Sequence, residues 1–394
     1  MSQLIYWETS EQKKTITKTD GYWIQYKDEP EPCLDLTTGY GAFLLGYNNK
    51  EIKDRLYNME VQFLRGNSGD TCDDLEELIS LICSRGNWES VAWAVSGSDG
   101  VEAAIFANDM YWKKMGGYRK KIISFFPGYH GATFINRHLR GDYPETGRAT
   151  VLPSPQWHTE DQRDSAELIA LQAVRRILEN DKEKEYGCLI METSPWSSDM
   201  CPWSVNWWKQ IRSMCDEFGI LFILDDVAVC WGKHGTWFGY EPFGVQPDLC
   251  VFGKALTGGY SPLSAVAVNK HVTEVLNTES FDYGHTWQPN LWGVAASLEV
   301  SKYIEKHNLL ARVPSINQEL KNIANEYGFI TRGDYLFVIM ETPRIITLGD
   351  LHNAGLSSGL PIAGATTGHI KFCMPLIADD EYFDVLRTRL KRLF

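Results

Sequence analysis

Short apolar runs alternate with amphipathic stretches along most of the chain. Val91-Ala92-Trp93-Ala94-Val95, Ile122-Ile123-Ser124-Phe125-Phe126, Cys188-Leu189-Ile190-Met191, Ile220-Leu221-Phe222-Ile223-Leu224 and Leu249-Cys250-Val251-Phe252 are bounded by turn residues, which is the pattern of buried strands. Over 204–218 the period changes to that of a helix: Ser204 can cap, Trp208, Ile211, Cys215 and Phe218 share a face, and Gly219 ends it. After Ser96-Gly97-Ser98-Asp99-Gly100, the residues Val101, Ile105 and Trp112 again fall near one face, and Asp99 with Glu102 predicts a capping box. Nearly continuous apolar strands alternating with such helices predict an α/β fold, a mostly parallel sheet covered by helices on both faces.

The pattern breaks twice. Residues 142–163, with Pro144, Pro153 and Pro155, predict a long surface loop. From about residue 291, long helical segments (291–306 and 309–326), short strands between Phe329 and Glu341 and a last helix from Asp379 predict a smaller α+β domain. The expected division is a large domain over 46–290, a small C-terminal domain over 291–394, and an N-terminal segment, 1–45, packed beside the small domain.

In parallel sheets, ligands bind beyond the carboxyl ends of the strands. Ser96, Tyr129, Glu192, Asp225 and Lys254 all lie at or just after such ends, so the pattern predicts that they converge on one crevice. Lys254 follows an apolar strand and precedes a flexible Gly-rich segment, the partly desolvated setting an imine-forming lysine requires. Asp225 ends five buried-looking residues, and a carboxylate there needs a cationic partner such as a protonated pyridine nitrogen. Gly97 and Ser98 open a helix, where a phosphate is well held, and Tyr129 offers a ring for stacking. An amine, a pyridinium partner, a phosphate cradle and a stacking ring together suit pyridoxal phosphate.

Composition narrows the choice further. Lys and Arg number 38 against 51 Asp and Glu, a net charge of −13 without any basic run, which argues against nucleic-acid and anionic-membrane partners. No signal-like or membrane-spanning segment stands out, and nine scattered cysteines never form CxxC, so reduced thiols in the cytoplasm are expected. No histidine spacing suggests a metal site. The fourteen tryptophans are expected to be mainly core, with a few lining an aromatic substrate pocket.

With these residues in place, the chain resembles the class III (omega) aminotransferases of fold type I over nearly its whole length. The most specific stretch is 220–268, where the acidic pair Asp225-Asp226, WGKHG, PD and GKALTGG follow the family's order and spacing; VSGSDGVEAA, GYHGATF and GHTWQPN add separate matches. The resemblance implies that Lys254 carries pyridoxal phosphate and shuttles the substrate proton, and that Asp225 keeps the pyridine nitrogen protonated. It further implies phosphate contacts from Gly97 and Ser98, ring contacts from Tyr129 and Val227, and Glu192 near the cofactor's phenolic oxygen. Thr286 would reach the phosphate of a neighbouring subunit, which implies a homodimer with shared sites acting on small amines and carbonyl compounds.

Departures from the family qualify the substrate. Ala228 stands where a glutamine usually contacts the phenolic oxygen, Ser197 replaces a second glutamate, and Lys371 replaces an arginine that grips a substrate carboxylate. A lysine point charge does not reproduce a bidentate arginine fork. The switch that lets glutamate share the pocket with a second substrate is therefore expected to be missing. Among subgroups the chain is most similar to the diaminopelargonic acid (adenosylmethionine-8-amino-7-oxononanoate) aminotransferases. Yet Tyr40 and Gly41 stand at their paired tryptophans, and their C-terminal arginine falls near Ala363. An aminomutase or decarboxylase on the same scaffold is the alternative chemistry. Tyr40 and Lys371 are the expected substrate contacts, with Arg137 and Arg140 as unplaced candidates for a carboxylate anchor.

Overall fold

The computed structural model describes residues 14–60, 70–157, 160–195, 201–277, 281–342, 347–362 and 369–394. Three short strands, β1 (Ile16–Asp20), β2 (Trp23–Tyr26) and β3 (Cys33–Leu34), form an antiparallel N-terminal sheet. The central sheet follows, built from β4 (Ser90–Ala94), β5 (Lys121–Phe126), β6 (Ala149–Pro153), β7 (Tyr186–Glu192), β8 (Leu221–Asp225), β9 (Leu249–Phe252) and β10 (Ser264–Val268) in the order β4-β10-β9-β8-β7-β5-β6. Only β10 runs against its neighbours. Its sequence, SAVAV, is buried throughout, as small and β-branched residues between two strands should be.

The predicted strands all form, and two regions differ from expectation. The stretch read as a loop over 142–163 contains β6, which pairs in parallel with β5 at the sheet edge and places Pro153 opposite Phe126. An edge strand can hold a proline because the missing N–H faces outward. The helix after β4 also starts earlier than Asp99. It spans Gly97–Lys114 with Ser96 as its cap: Ser96 Oγ accepts from Asp99 N (3.2 Å) and Asp99 Oδ2 reaches back to accept from Val95 N (2.8 Å). The capping box is thus Ser96 with Asp99.

Helix Gly97–Lys114 covers one face of the sheet, where Val101, Ala104 and Ile105 pack with Ile122, Ile190, Ile223 and Val251. Helix Val205–Phe218, capped by Ser204 and closed by Gly219 at φ 60°, covers the other. There Trp203, Trp207 and Trp208 are buried against Phe125 and Phe222, so these tryptophans are core. Trp287 and Trp292 are exposed.

The C-terminal part holds a second antiparallel sheet of β11 (Ile330–Arg332), β12 (Phe337–Glu341) and β13 (His369–Cys373), with helices Leu291–Lys306, Val313–Glu326 and Asp380–Leu393. The N-terminal strands are stitched to it. Leu34 N donates to Gly359 O (2.9 Å), Cys373 N to Leu36 O (2.8 Å), Tyr22 Oη to Asp379 Oδ1 (3.1 Å) and Tyr382 Oη to Asp35 O (3.0 Å). Among the described residues, no helix is long and apolar enough to cross a membrane.

Candidate active site

Two carboxylates lie side by side where β7 and β8 end, because the register places Glu192 opposite Asp225. Both are buried. Asp225 Oδ2 accepts from His130 Nδ1 (2.9 Å) and its Oδ1 from Val227 N (3.2 Å), while Glu192 Oε2 accepts from Tyr129 N (3.0 Å). The segment after β5 is therefore clamped twice, by a main-chain bond to Glu192 and a side-chain bond to Asp225. Between the clamps the Tyr129 ring stays 41% exposed. Burial disfavours charge on His130, but its hydrogen bond to Asp225 and the nearby Glu192 charge prevail and raise its pKa. Burial pushes Glu192 up to about 7, with the His130 cation opposing and Asp225 adding to the rise.

The second member of the acidic pair has a different task. Asp226 is fully buried and accepts from Thr193 Oγ1 (2.6 Å) and Gly239 N (2.8 Å), pinning the 226–239 loop back on β7. Burial pushes it up to about 7 as well. In that loop His234 is also buried, donates from Nδ1 to Gly239 O (2.7 Å) and is driven down to about 4 by loss of water.

Lys254 is the second residue after β9 and opens a short 3-10 turn, Lys254–Thr257, at φ 42°. A lysine in the left-handed region is strained, and such strain concentrates at working sites. Its charge is felt at Glu192, Cys230 and Lys233. On the other side of the crevice, Gly97 lies so close to Val227 that a Cβ there would stand 2.8 Å from Cγ1. Ser98 Oγ accepts from Ala132 N (3.1 Å), which leaves its proton to donate, and Asn136 Nδ2 donates to Ser98 O (3.0 Å), its own Oδ1 buried and without a partner among the described residues. A glycine, a hydroxyl and an 18-residue helix N-terminus together suit a phosphate.

A left-handed turn closes the crevice from the N-terminal side. Thr38, Gly39, Tyr40 and Gly41 have φ of 48°, 57°, 56° and 81° in succession. The Asp35 carboxylate holds them by accepting from Thr37 N (2.8 Å), Gly39 N (3.1 Å) and Tyr47 Oη (2.7 Å). Tyr40 is thereby presented 57% exposed, and Gly41 lies against Lys233, whose Nζ would be 3.3 Å from an added Cβ. Lys233 is fully buried, its Nζ has no hydrogen-bond partner among the described residues, and burial lowers its pKa. Lys371 sits in β13 opposite Ile339, only 5% exposed. Alternation puts it on the sheet face of Phe337, Ile339 and Cys373, which pack on Val229 with Ala228 beside them.

A model of the class-III aminotransferase family matches residues 6–394. The chain belongs to the class-III aminotransferases. It is 27% identical over 323 residues to a putrescine–pyruvate aminotransferase of Pseudomonas aeruginosa, covering 76% of this chain and 69% of that protein. An adenosylmethionine-8-amino-7-oxononanoate aminotransferase of Geobacter sulfurreducens is 26% identical over 347 residues, 82% of this chain and 76% of that one. Its fold matches a PLP-bound amine transaminase from an uncultivated Pseudomonas species with a TM-score of 0.89 at 19% identity, over 100% and 99% of the two chains.

A class-III aminotransferase uses pyridoxal phosphate, and the donor set fits it: a cradle too tight for any Cβ at position 97, a buried carboxylate pair and a lysine across from them. Among the described residues, no cluster of His, Cys, Asp and Glu could hold a metal ion. The strand-end residues read from the sequence thus meet as one constellation. His130 was missed, although its place one residue after Tyr129 and its pairing with Asp225 could have been sought as the partner a buried carboxylate needs. Thr286 is exposed in a segment tied to this helix N-terminus by Tyr283 Oη and Gln288 Nε2, which donate to Asp99 Oδ1 (2.5 Å) and Oδ2 (3.2 Å). Ser197 and Ala363 lie outside the described residues.

Proposed function

We propose that this aminotransferase moves an amino group from an amine or amino-acid donor other than glutamate to a carbonyl acceptor. The observation that carries the donor reading is Lys371, a buried point charge on the sheet face beside Ala228, where the family's carboxylate-gripping arginine is expected. When bound, pyridoxal phosphate supplies the electron sink for the carbanion left by proton removal. Lys254 would hold the cofactor, and its amine would then take up and return the substrate proton. Asp225, fixed by His130, would pair with the pyridine nitrogen, and Glu192 would lie on the side of the phenolic oxygen. Gly97 and Ser98 would hold the phosphate, while Tyr129 and Val227 would pack against the ring. Tyr40 overhangs the substrate side.

The homodimer is part of the same reading. Thr286 and the 69% exposed Trp287 lie on a firmly docked segment, which suits contact with the phosphate of a second copy. Nine free thiols suit a cytoplasmic setting. The test is a panel of donors, alanine, glutamate, diamines and S-adenosylmethionine, each followed by the loss of the cofactor's visible band and by the released carbonyl product. A donor other than glutamate should give both, and an acceptor should restore the band. Efficient turnover of glutamate would overturn the donor reading, and an isomerised or decarboxylated product would favour aminomutase or decarboxylase chemistry. Lys254→Ala should abolish turnover, and residual transamination in that variant would remove Lys254 from its role.

A further inference from the structure

Arginines with restricted exposure are taken up by oxygens throughout this chain. Arg148 grips both oxygens of Asp109 (2.7 and 2.9 Å), Arg212 holds Asp248 (3.0 Å), and Arg389 is engaged by the carbonyls of Gly359 and Pro32. Arg140 is different. Among the described residues no carboxylate or carbonyl accepts from its guanidinium, and its Nε is sealed from water without a partner. Its Cζ lies 5.6 Å from the centroid of the Tyr129 ring. Arg137, three residues earlier, is spent on Asp142 (3.0 Å) at the surface.

A guanidinium held over a ring at that distance gains a cation–π attraction that occupies none of its N–H donors. A half-buried fork with unmet donors is costly unless an acceptor arrives, and a carboxylate fits it bidentately. The position is also rigid. Arg140 N donates to Arg137 O (3.2 Å), and the preceding carbonyl, Leu139 O, accepts from Ser124 Oγ of β5 (2.8 Å). The nearby acids are already engaged, Asp225 with His130 and Glu192 with Tyr129 N.

We propose that Arg140 is the substrate-carboxylate anchor of this aminotransferase, in the role left vacant by the arginine that Lys371 replaces. The proposal rests on the transaminase reading above and names its substrate class. Arg140 occupies one face of Tyr129, so the cofactor ring takes the other. The acid group must then lie past the edge of that tyrosine, several chain carbons from the reacting amine.

The test compares 5-aminopentanoate with pentylamine, which has the same chain length and no acid, in the wild-type holoenzyme, Arg140→Met and Arg140→Lys. Arg140→Met should raise KM for 5-aminopentanoate about 10- to 100-fold with kcat nearly unchanged, and leave pentylamine alone. Arg140→Lys should recover part of the loss. Glutarate, titrated calorimetrically into the cofactor-free protein, should bind the wild type and fail to bind Arg140→Met. Equal KM changes for both amines, or glutarate binding that survives in Arg140→Met, would overturn the anchor. A wild type that turns over no amine would sink the transaminase reading instead, and the glutarate titration would still judge Arg140.

Discussion

In the proposed role Asp225 would pair with a pyridine nitrogen, and His130 is the side chain that holds its carboxylate in place. Replacing His130 by Phe leaves that carboxylate with Val227 N alone, a loss of roughly 1–3 kcal/mol by the cost of an unmet buried acceptor. Thermal melts of the cofactor-free variant should show it, together with a sharp fall in turnover. Asp225→Asn should retain cofactor yet lose most turnover, and unchanged rates would contradict the pyridinium assignment. Glu192 sets a pH signature of opposite sense to an ordinary carboxylate. Its folded pKa, about 7, is above the unfolded value, so the fold favours the protonated acid, and stability falls as pH rises from about 4.5 through 7. Relative to Glu192→Gln, the cofactor-free wild type should therefore lose on the order of 2 kcal/mol between pH 5 and 8, read as a pH-dependent gap in Tm. His234 acts in reverse: buried neutral, it costs stability as pH falls below about 6.5 toward 4, and His234→Asn should flatten that acid limb. These residues divide cleanly in how legible they were. Asp225, Lys254, Tyr129 and Glu192 announce themselves by ending apolar strands, and Arg140 could be named as a candidate anchor but not chosen over Arg137, whereas His130 pairs with a carboxylate 95 residues away that no local pattern encodes.

Among the elements, periodicity gave five strands of the central sheet and the helix over 204–218 with its cap and stop. It missed β6 because three prolines outweigh a short ATVL run unless the chain is known to lie at a sheet edge. The helix start slipped to Asp99 because two Asx/Ser candidates stand three residues apart, and only the bond from Asp99 N to Ser96 Oγ decides between them. Nor was the left-handed turn over 38–41 readable, since a lone tyrosine between glycines carries no sign of φ 56°. That turn makes its own prediction. Tyr40→Gly should relieve about 1 kcal/mol of backbone strain, while removing the overhanging ring and changing preference among bulky amines. Gly41→Ala should do the opposite, because φ is 81° and the new methyl meets Lys233 and Cys373 at 3.2–3.4 Å. A melting temperature that moves the same way in both variants would contradict the strain argument.

For the molecule as a whole, exposed aromatics mark where another surface is expected. Trp287, 69% exposed, lies on the segment docked to the N-terminus of helix Gly97–Lys114, where the proposed contact with a second copy would cover it. Sedimentation should give a dimer. Thr286→Ala should weaken cofactor affinity while the dimer persists, which separates a phosphate contact from a mere interface contact.

The stitching of the first strands to the last helix also imposes an order in time. Asp35 O waits for Tyr382, Leu36 O for Cys373 and Tyr22 for Asp379, partners more than 330 residues later. At ordinary rates of synthesis that interval is on the order of tens of seconds. Through it the emerging strands have only local partners, such as Tyr47 for Gly21 and Asn48 for Thr19, and the turn bearing Tyr40 lacks its C-terminal supports until the ribosome has nearly finished. The N-terminal wall of the catalytic crevice is thus made early and braced last, and a nascent chain arrested before residue 370 should remain more open to protease at its beginning than the finished protein.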